Sequence, residues 1–320
     1  MAENRSHRTR AAKVAEVLNI SLLDRFRGCL LGLACGDALG TTVEFADRGT
    51  FEPVRDIVGG GPFNLQAGQW TDDTSMALCL AASLLYRNGF DAADQMNRYV
   101  NWWQWGYLSS TGECFDIGAT TRRALETYLI CGDPFSGSTD PSSAGNGSLM
   151  RLAPIPLFFH GNPSAIIHYA AESSRTTHAA PEAVDCCRLF AGIVTAALRG
   201  VPRRELLSGD VPIISSRVRE IASGRFMNKA RAEVRGSGYC VESLEAALWC
   251  FFTTSSFQEA VVEAVNLGDD ADTTGAIAGQ LAGAFYGASQ IPASWLGRLA
   301  LRDFIDSTAS ELFARAKPVS

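Results

Sequence analysis

Two segments of this 320-residue chain place glycine at every fourth position, a spacing that constrains the fold more than any other feature. The glycines form two sets: Gly28, Gly32, Gly36, Gly40 and Gly275, Gly279, Gly283, Gly287. Residues four apart lie on one face of an α-helix, so each segment would present a stripe without side chains. An interior glycine costs a helix about 0.5–1 kcal/mol relative to alanine, so eight of them indicate close packing. We expect both helices to be central and to contact one another.

Most other apolar segments also have helical spacing. Apolar residues recur every three or four positions in residues 22–39, 75–86, 94–105, 119–130, 165–172, 181–198, 243–252 and 274–286. Turn-forming residues separate these segments, as in the Ser/Gly/Pro-rich stretch 136–147. We therefore predict an all-α, compact single-domain, multi-helix fold over residues 21–320, with long functional loops. Residues 1–20 are polar and basic, and we treat them as a separate N-terminal extension.

Composition narrows the choice of partner and compartment. The chain has 28 Lys and Arg against 34 Asp and Glu, a net charge of -6, so nothing attracts it generally to nucleic acid or to an anionic membrane. Its nine cysteines are scattered without a CxxC pair, as is typical of reduced cytoplasmic thiols. No signal-peptide core follows the basic N-terminus, and no run reaches the roughly 18 to 20 apolar residues of a membrane-spanning helix. We expect a cytoplasmic protein with a small-molecule or protein substrate.

Two acidic clusters precede helical segments near opposite ends of the domain, WTDDTS at residues 70–75 and NLGDDADTT at residues 266–274. Capping is one explanation, because Asp and Thr accept hydrogen bonds from free N–H groups at a helix N-terminus. Five acids exceed that need, since adjacent carboxylates repel one another unless a cation neutralises them. Carboxylate and hydroxyl oxygens suit Mg²⁺, Mn²⁺ or Ca²⁺ rather than zinc or copper. Two such clusters would hold two ions about 3.5–4 Å apart if the fold brings Asp72 and Asp270 together.

Six motifs occur in an order that resembles the ADP-ribosylglycohydrolase family. They are GCLLGLACGDALG at residues 28–40 followed by Glu44, WTDDT at 70–74, FDIG at 115–118, GNGSLMR at 145–151, TH at 177–178, and DADTTG at 270–275. Single motifs of this length are weak, whereas six in order are specific. The resemblance extends from about residue 22 to residue 313. It implies a compact all-α fold with a central cleft that binds two Mg²⁺ or Mn²⁺ ions.

The resemblance also implies the site residues. The implied metal ligands are Thr71, Asp72, Asp73, Asp270, Asp272 and Thr273. Asp269 stands where family members often have glycine, so we place it beside the ligands. Glu44 matches a glutamate near the metals and the scissile bond, and Asp116 matches an aspartate that faces the substrate ribose. The implied substrate-binding residues are Asn146, Gly147, Ser148 and His178.

The implied reaction is metal-dependent hydrolysis that removes mono-ADP-ribose from modified protein side chains, with ADP-ribosyl-arginine as the preferred linkage. The bond broken joins the ribose anomeric carbon to a guanidinium nitrogen, and carboxylates stabilise the positive charge that develops on that carbon. Glu44 or Asp116 handles the proton transfer, and the sequence does not decide between them.

Two other functions deserve comparison with this one. The basic extension, residues 1–20, would allow an immunity protein to block the active site of a cognate ADP-ribosylating toxin, with or without hydrolase activity. Isoprenoid synthases also combine an all-α fold with aspartate-rich Mg²⁺ sites. Here Met76 stands where such a motif would need a third aspartate, which argues against that class.

Overall fold

The computed structural model of the protein describes residues 20–316, which form an all-α fold, as the sequence predicts. Within these residues there is no β-sheet, only three isolated β-bridges. The helices are α1 (Leu22–Gly40), α2 (Asp72–Arg87), α3 (Ala92–Trp105), α4 (Ala119–Cys131), α5 (Pro154–Phe158), α6 (Pro163–Arg175), α7 (Pro181–Leu198), α8 (Ser216–Ala222), α9 (Cys240–Thr253), α10 (Phe257–Val265), α11 (Ala271–Tyr286), α12 (Ala293–Arg298) and α13 (Arg302–Arg315). The predicted basic extension lies outside the described residues except for Ile20.

The two glycine-striped helices, α1 and α11, pack against each other at the centre of the fold, which confirms the predicted contact. Their glycines meet in register, Gly28 against Gly283, Gly32 against Gly279 and Gly36 against Gly275. Residue numbers rise along one helix as they fall along the other, so the pair is antiparallel. A Cβ atom added to Gly36 would lie 2.0 Å from the carbonyl oxygen of Gly275. Only glycine permits this backbone-to-backbone approach.

All eight segments with helical spacing are helices in the structure. The sequence pattern does not predict α5, α8, α10, α12 and α13. Three of these helices, α5, α8 and α12, have seven residues or fewer. Segments this short contain too few turns to establish a period. Among residues 20–316, no helix combines the length and apolar character needed to span a membrane.

Both acidic clusters lie at helix N-termini, as predicted. Helix α2 begins at Asp72 and α11 begins at Ala271. The antiparallel packing puts the N-terminus of α11 beside the C-terminus of α1, where Gly40 lies against Asp272. Helix α1 thereby brings the second acidic cluster close to the residues that follow Gly40.

Candidate functional site

A buried carboxylate on α1 holds the N-terminus of α2, which carries the first acidic cluster. Asp37 accepts hydrogen bonds from the backbone N–H groups of Thr71 and Thr74, at 2.8 and 3.0 Å. It also accepts from their hydroxyls, at 3.0 and 2.6 Å. The N-cap residue Thr71 makes no capping bond with its own side chain, so Asp37 caps this helix from another element. The sequence interpretation missed this role, because Asp37 is 34 residues away from Thr71.

The two acidic clusters meet at the hydroxyl of Thr71. Its Oγ1 lies 3.1 Å from Oδ2 of Asp272 and 3.3 Å from Oδ2 of Asp73. Thr273 Oγ1 lies 3.5 Å from the same Asp73 oxygen. The Thr71 hydroxyl carries one proton, so it can donate to only one of Asp37, Asp73 and Asp272 at a time.

Glu44 and Asp116 approach this meeting point from two loops. Glu44 ends the 3₁₀ turn Thr41–Val43 that directly follows α1. Asp116 precedes α4 and has a φ of 57°, a left-handed conformation that is uncommon outside glycine and that aspartate tolerates better than most residues. Glu44, Asp116 and Asp272 each offer a carboxylate oxygen, and these oxygens lie within 4.8 Å of one another. Carboxylates from three separate parts of the chain thus converge on one point.

Several oxygens in this acidic group are buried without a hydrogen-bond donor. They are Glu44 Oε2, Asp73 Oδ1 and Asp272 Oδ1. A buried carboxylate oxygen that loses water without gaining a partner is costly, so native proteins pair such atoms with a donor or a cation. Carboxylate oxygens are hard ligands of the kind that Mg²⁺ and Mn²⁺ prefer. The residues present therefore fit one or more divalent cations.

The pKa values of the acidic group are raised because the carboxyl groups are buried and lie close together. Burial, reinforced by the charge of Asp116, raises the pKa of Glu44 to about 10. Burial and the charge of Asp270 raise the pKa of Asp116 to about 7. Burial first and neighbouring carboxylates second also hold the pKa values of Asp72, Asp73 and Asp272 well above the usual range. These carboxyl groups cannot all be ionised at neutral pH unless a positive charge is placed among them.

A pair of backbone hydrogen bonds joins the loop after Glu44 to the loop before Asp270. The N–H of Phe45 donates to the carbonyl of Asp269, and the N–H of Asp269 donates to the carbonyl of Ala46, both at 2.8 Å. Phe45 and Asp269 each adopt positive φ values to make this exchange, 61° in both cases. The side chain of Asp269 is exposed, so it lies beside the acidic group rather than within it.

Asn146 connects the acidic group to the loop of residues 145–148. Its side-chain Nδ2 donates to Oδ2 of Asp270 at 2.8 Å and to Oγ of Ser243 at 2.9 Å. Its backbone N–H donates to the carbonyl of Gly238 at 3.1 Å. Within the described part of the chain, the backbone N–H groups of Gly147 and Ser148 have no acceptor. These two N–H groups directly follow Asn146, the residue that donates to Asp270.

The imidazole of His178 packs against this loop. A Cβ atom on Gly147 would lie 2.8 Å from His178 Cε1, so a side chain there would displace the ring. The side chain of Ser148 turns toward the interior instead, where it accepts a hydrogen bond from Ser174 Oγ at 2.8 Å. Any contact of Ser148 with a ligand would therefore use its backbone.

The ADP-ribosylglycohydrolase family model matches residues 18–319. This chain belongs to that family. It is 48% identical to the ADP-ribosylarginine hydrolase Tri1 of Pseudomonas putida (strain GB-1), over 93% of this chain and 80% of the relative. It is 34% identical to the ADP-ribosyl-[dinitrogen reductase] glycohydrolase of Rhodospirillum rubrum, over 88% of this chain and 92% of the relative. A solved structure described as an ADP-ribosylglycohydrolase-related protein complex superposes with a TM-score of 0.81 at 44% identity, covering 92% of this chain and 99% of that one.

The predicted site residues of this ADP-ribosylglycohydrolase fall into two neighbouring groups. The acidic group contains Glu44, Thr71, Asp72, Asp73, Asp116, Asp270, Asp272 and Thr273. The second group is the loop with Asn146, Gly147 and Ser148, together with His178. The hydrogen bond from Asn146 to Asp270 links the two groups, so the fold brings all of these positions to one region.

Proposed function

We propose that this chain is a metal-dependent hydrolase that removes ADP-ribose from arginine side chains of modified proteins. The observation that carries the proposal is the convergence of acids from α2, α11 and two loops on one buried region in which three carboxylate oxygens have no hydrogen-bond donor. Membership of the ADP-ribosylglycohydrolase family supports the reaction class. The 48% and 44% identities to proteins named ADP-ribosylarginine hydrolase Tri1 favour the arginine linkage.

Two divalent cations, Mg²⁺ or Mn²⁺, are proposed as cofactors. The side chains that would hold them are Thr71, Asp72, Asp73, Asp270, Asp272 and Thr273. When bound, the ions would neutralise the carboxylates and provide a polarised water together with attachment for ribose hydroxyls. The chain contributes the rigid placement of these ligands, since Asp37 fixes one cluster and the packing of α1 on α11 fixes the other.

Glu44 and Asp116 are proposed as the groups that move protons and stabilise charge at the anomeric carbon. Both residues have a carboxylate oxygen within 4.8 Å of one on Asp272, and they come from two separate loops. A pair of carboxyl groups on either side of a glycosidic bond is the usual arrangement for hydrolysis through an oxocarbenium-like transition state. The leaving group departs as a neutral guanidine with the electron pair of the broken C–N bond and then takes up a proton, while the attacking water loses one, so one carboxyl group serves each transfer.

The loop of residues 145–148 is proposed to bind the diphosphate and ribose. The free N–H groups of Gly147 and Ser148 supply two donors for anionic oxygens. Glycine at 147 leaves room for the His178 ring to pack directly against this loop. Asn146 places this loop relative to the acids, so the diphosphate and the scissile bond are bound in a defined orientation.

The decisive experiment measures ADP-ribose release from an arginine-ADP-ribosylated protein and, in parallel, from a serine-linked substrate. We expect release from the arginine linkage that requires Mg²⁺ or Mn²⁺ and disappears with a chelator. Asp270→Asn should abolish it. The matched control is Asp269→Asn, because Asp269 is adjacent but exposed and asparagine accepts its left-handed backbone.

Cleavage of the serine linkage alone would refute the assignment of arginine. Equal loss of activity in Asp269→Asn and Asp270→Asn would refute the assignment of the ligand to Asp270. Activity that persists in a chelator would refute the role of the cations.

A cognate ADP-ribosylating toxin is proposed as a further partner, on the basis of the basic extension at residues 1–20, with its Arg5, Arg8, Arg10 and Lys13. A strongly basic segment is attracted electrostatically to an acidic cleft on a partner protein. The nine cysteines without a CxxC pair support a reducing, cytoplasmic location for the hydrolysis and for the binding of a toxin.

A further inference from the structure

Arg151 is a buried cation without a counterion among the described residues. Its side chain is 0% exposed and lies 4.5 Å above the ring of Tyr99. Its hydrogen-bond acceptors are neutral, chiefly Thr177 Oγ1 at 2.7 Å, and its Nε has no partner. A buried charge without an opposite charge is costly to a fold. Such a group calls for a reason beyond packing.

The contact with Thr177 determines which way the next hydrogen bond runs. An arginine can only donate, so Thr177 Oγ1 accepts from Arg151 and keeps one proton of its own. The other atom within reach of this hydroxyl is Nδ1 of His178, at 2.8 Å. If Nδ1 carried the proton, the fully buried hydroxyl of Thr177 would have no acceptor for its own. Thr177 therefore donates to Nδ1, and the proton of the neutral imidazole resides on Nε2.

The Nε2 edge of His178 faces the loop proposed to bind the diphosphate. Nε2 would lie 3.1 Å from a Cβ atom on Gly147 and 3.3 Å from one on Gly145. Among residues 20–316, the hydrogen bond of the His178 ring is made by Nδ1 and not by Nε2. Burial, reinforced by the charge of Arg151, lowers the pKa of His178 to about 3, so the ring is neutral. A single, directed N–H donor is thus available at this edge.

We propose that Arg151 is a positioning residue that, through Thr177, holds His178 as the Nε2–H tautomer and so aims a neutral donor at a phosphate or ribose oxygen of ADP-ribose. The cation polarises the Thr177 hydroxyl, which becomes a stronger donor to Nδ1. A tautomer that is set in advance avoids rearrangement when the ligand binds. The ligand part of this proposal rests on the proposed function.

The tautomer can be read directly by long-range ¹H–¹⁵N correlation NMR of the full chain. There are four histidines, and the His178 signals are those lost in His178→Gln. We expect the wild type to show protonated Nε2. Thr177→Val keeps the side-chain shape but removes the hydroxyl, and it should give a mixture of tautomers. Thr177→Ser should restore the wild-type pattern. His160, which packs on Phe26, should not change in any variant.

Binding of free ADP-ribose supplies the second measurement. We expect Thr177→Val to weaken binding of free ADP-ribose by about tenfold, which is ~1.4 kcal/mol, and Thr177→Ser to restore it. In hydrolysis assays the same loss should appear in KM rather than in kcat. Arg151→Met should likewise give a mixture of His178 tautomers. If the Arg151 variant does not fold, Thr177→Val still tests whether the Thr177 hydroxyl sets the tautomer.

A wild-type His178 protonated on Nδ1, or an unchanged tautomer in Thr177→Val, would overturn the relay. A changed tautomer with unchanged ADP-ribose binding would overturn its role toward the ligand. These outcomes differ from failure of the proposed function, which would appear as absence of hydrolysis with the tautomers as expected.

Discussion

The contact between α1 and α11 offers a quantitative test at Gly279. A Cβ atom at this position would lie 2.0 Å from the carbonyl oxygen of Gly32 and 2.6 Å from its carbonyl carbon. A close carbon-to-oxygen contact is about 3.3–3.6 Å, so the helices would have to separate by more than ~1 Å. The obstacle is backbone, which cannot rotate aside as a side chain does. Gly279→Ala therefore forces movement of a whole helix.

The expected cost combines two opposing effects. Alanine in place of an interior glycine favours the helix itself by up to about 1 kcal/mol. Overpacking a filled core costs about 1–3 kcal/mol, occasionally more, and a backbone obstacle belongs at the upper end. The net expectation is a loss of about 2 kcal/mol in the free energy of unfolding.

Urea unfolding followed by far-UV circular dichroism, with a chelator present to remove any effect of metal binding, measures this difference. The matched control is Gly297→Ala in α12, because a Cβ atom there meets nothing within 4 Å. We expect the control to be as stable as the wild type or slightly more stable. If Gly279→Ala were also as stable as the wild type, the glycine stripe would not be required for packing and the argument would be wrong.

Three further predictions concern the site and the extension. Asp37→Asn replaces an acceptor of the α2 N-terminus with a donor, so we expect a loss of about 1–3 kcal/mol in unfolding free energy and weaker metal binding; a variant with wild-type stability and metal affinity would refute the capping role. The pKa of His178 falls from 6.5 to about 3 on folding. Between these two pH values the unfolded chain binds more protons than the folded one, so stability falls as the pH decreases. His178→Gln should reduce this slope by up to about 1.4 kcal/mol per pH unit, and equal slopes for the wild type and the variant in pH-dependent urea titrations would contradict the neutral ring. Deletion of residues 1–20 should leave ADP-ribose release unchanged and abolish binding to a cognate ADP-ribosylating toxin; intact binding in a pull-down would exclude the extension as the contact.

Features that depend on neighbouring residues could be predicted from the sequence. Periodic spacing identified helices such as α7, whose observed bounds match the predicted residues 181–198. Acid-rich stretches before apolar runs located the N-termini of α2 and α11, because acidic side chains are favoured in the first turn by the positive end of the helix dipole. The glycine spacing indicated that two helices approach closely, and the order of six motifs indicated the family.

Features that depend on distant residues appeared only in the tertiary structure. Asp37 caps α2 because the packing of α1 places it there, and no local pattern distinguishes it from an ordinary buried acid. The two hydrogen bonds that connect Arg151 to Thr177 and Thr177 to His178 likewise depend on how α6 packs beside the loop of residues 145–151.

The sequence by itself determined eight of the helices, the acidic helix N-termini and the family, since each follows from residue types within a few turns or from motif order. The tertiary structure alone decided the register of Gly32 against Gly279 and the convergence of Asp73 and Asp272 on Thr71. Gly32 and Gly279, and likewise Asp73 and Asp272, are separated by about 200 to 250 residues along the chain. Their distance in space is set by helix packing, which acts on whole surfaces rather than on neighbours along the chain.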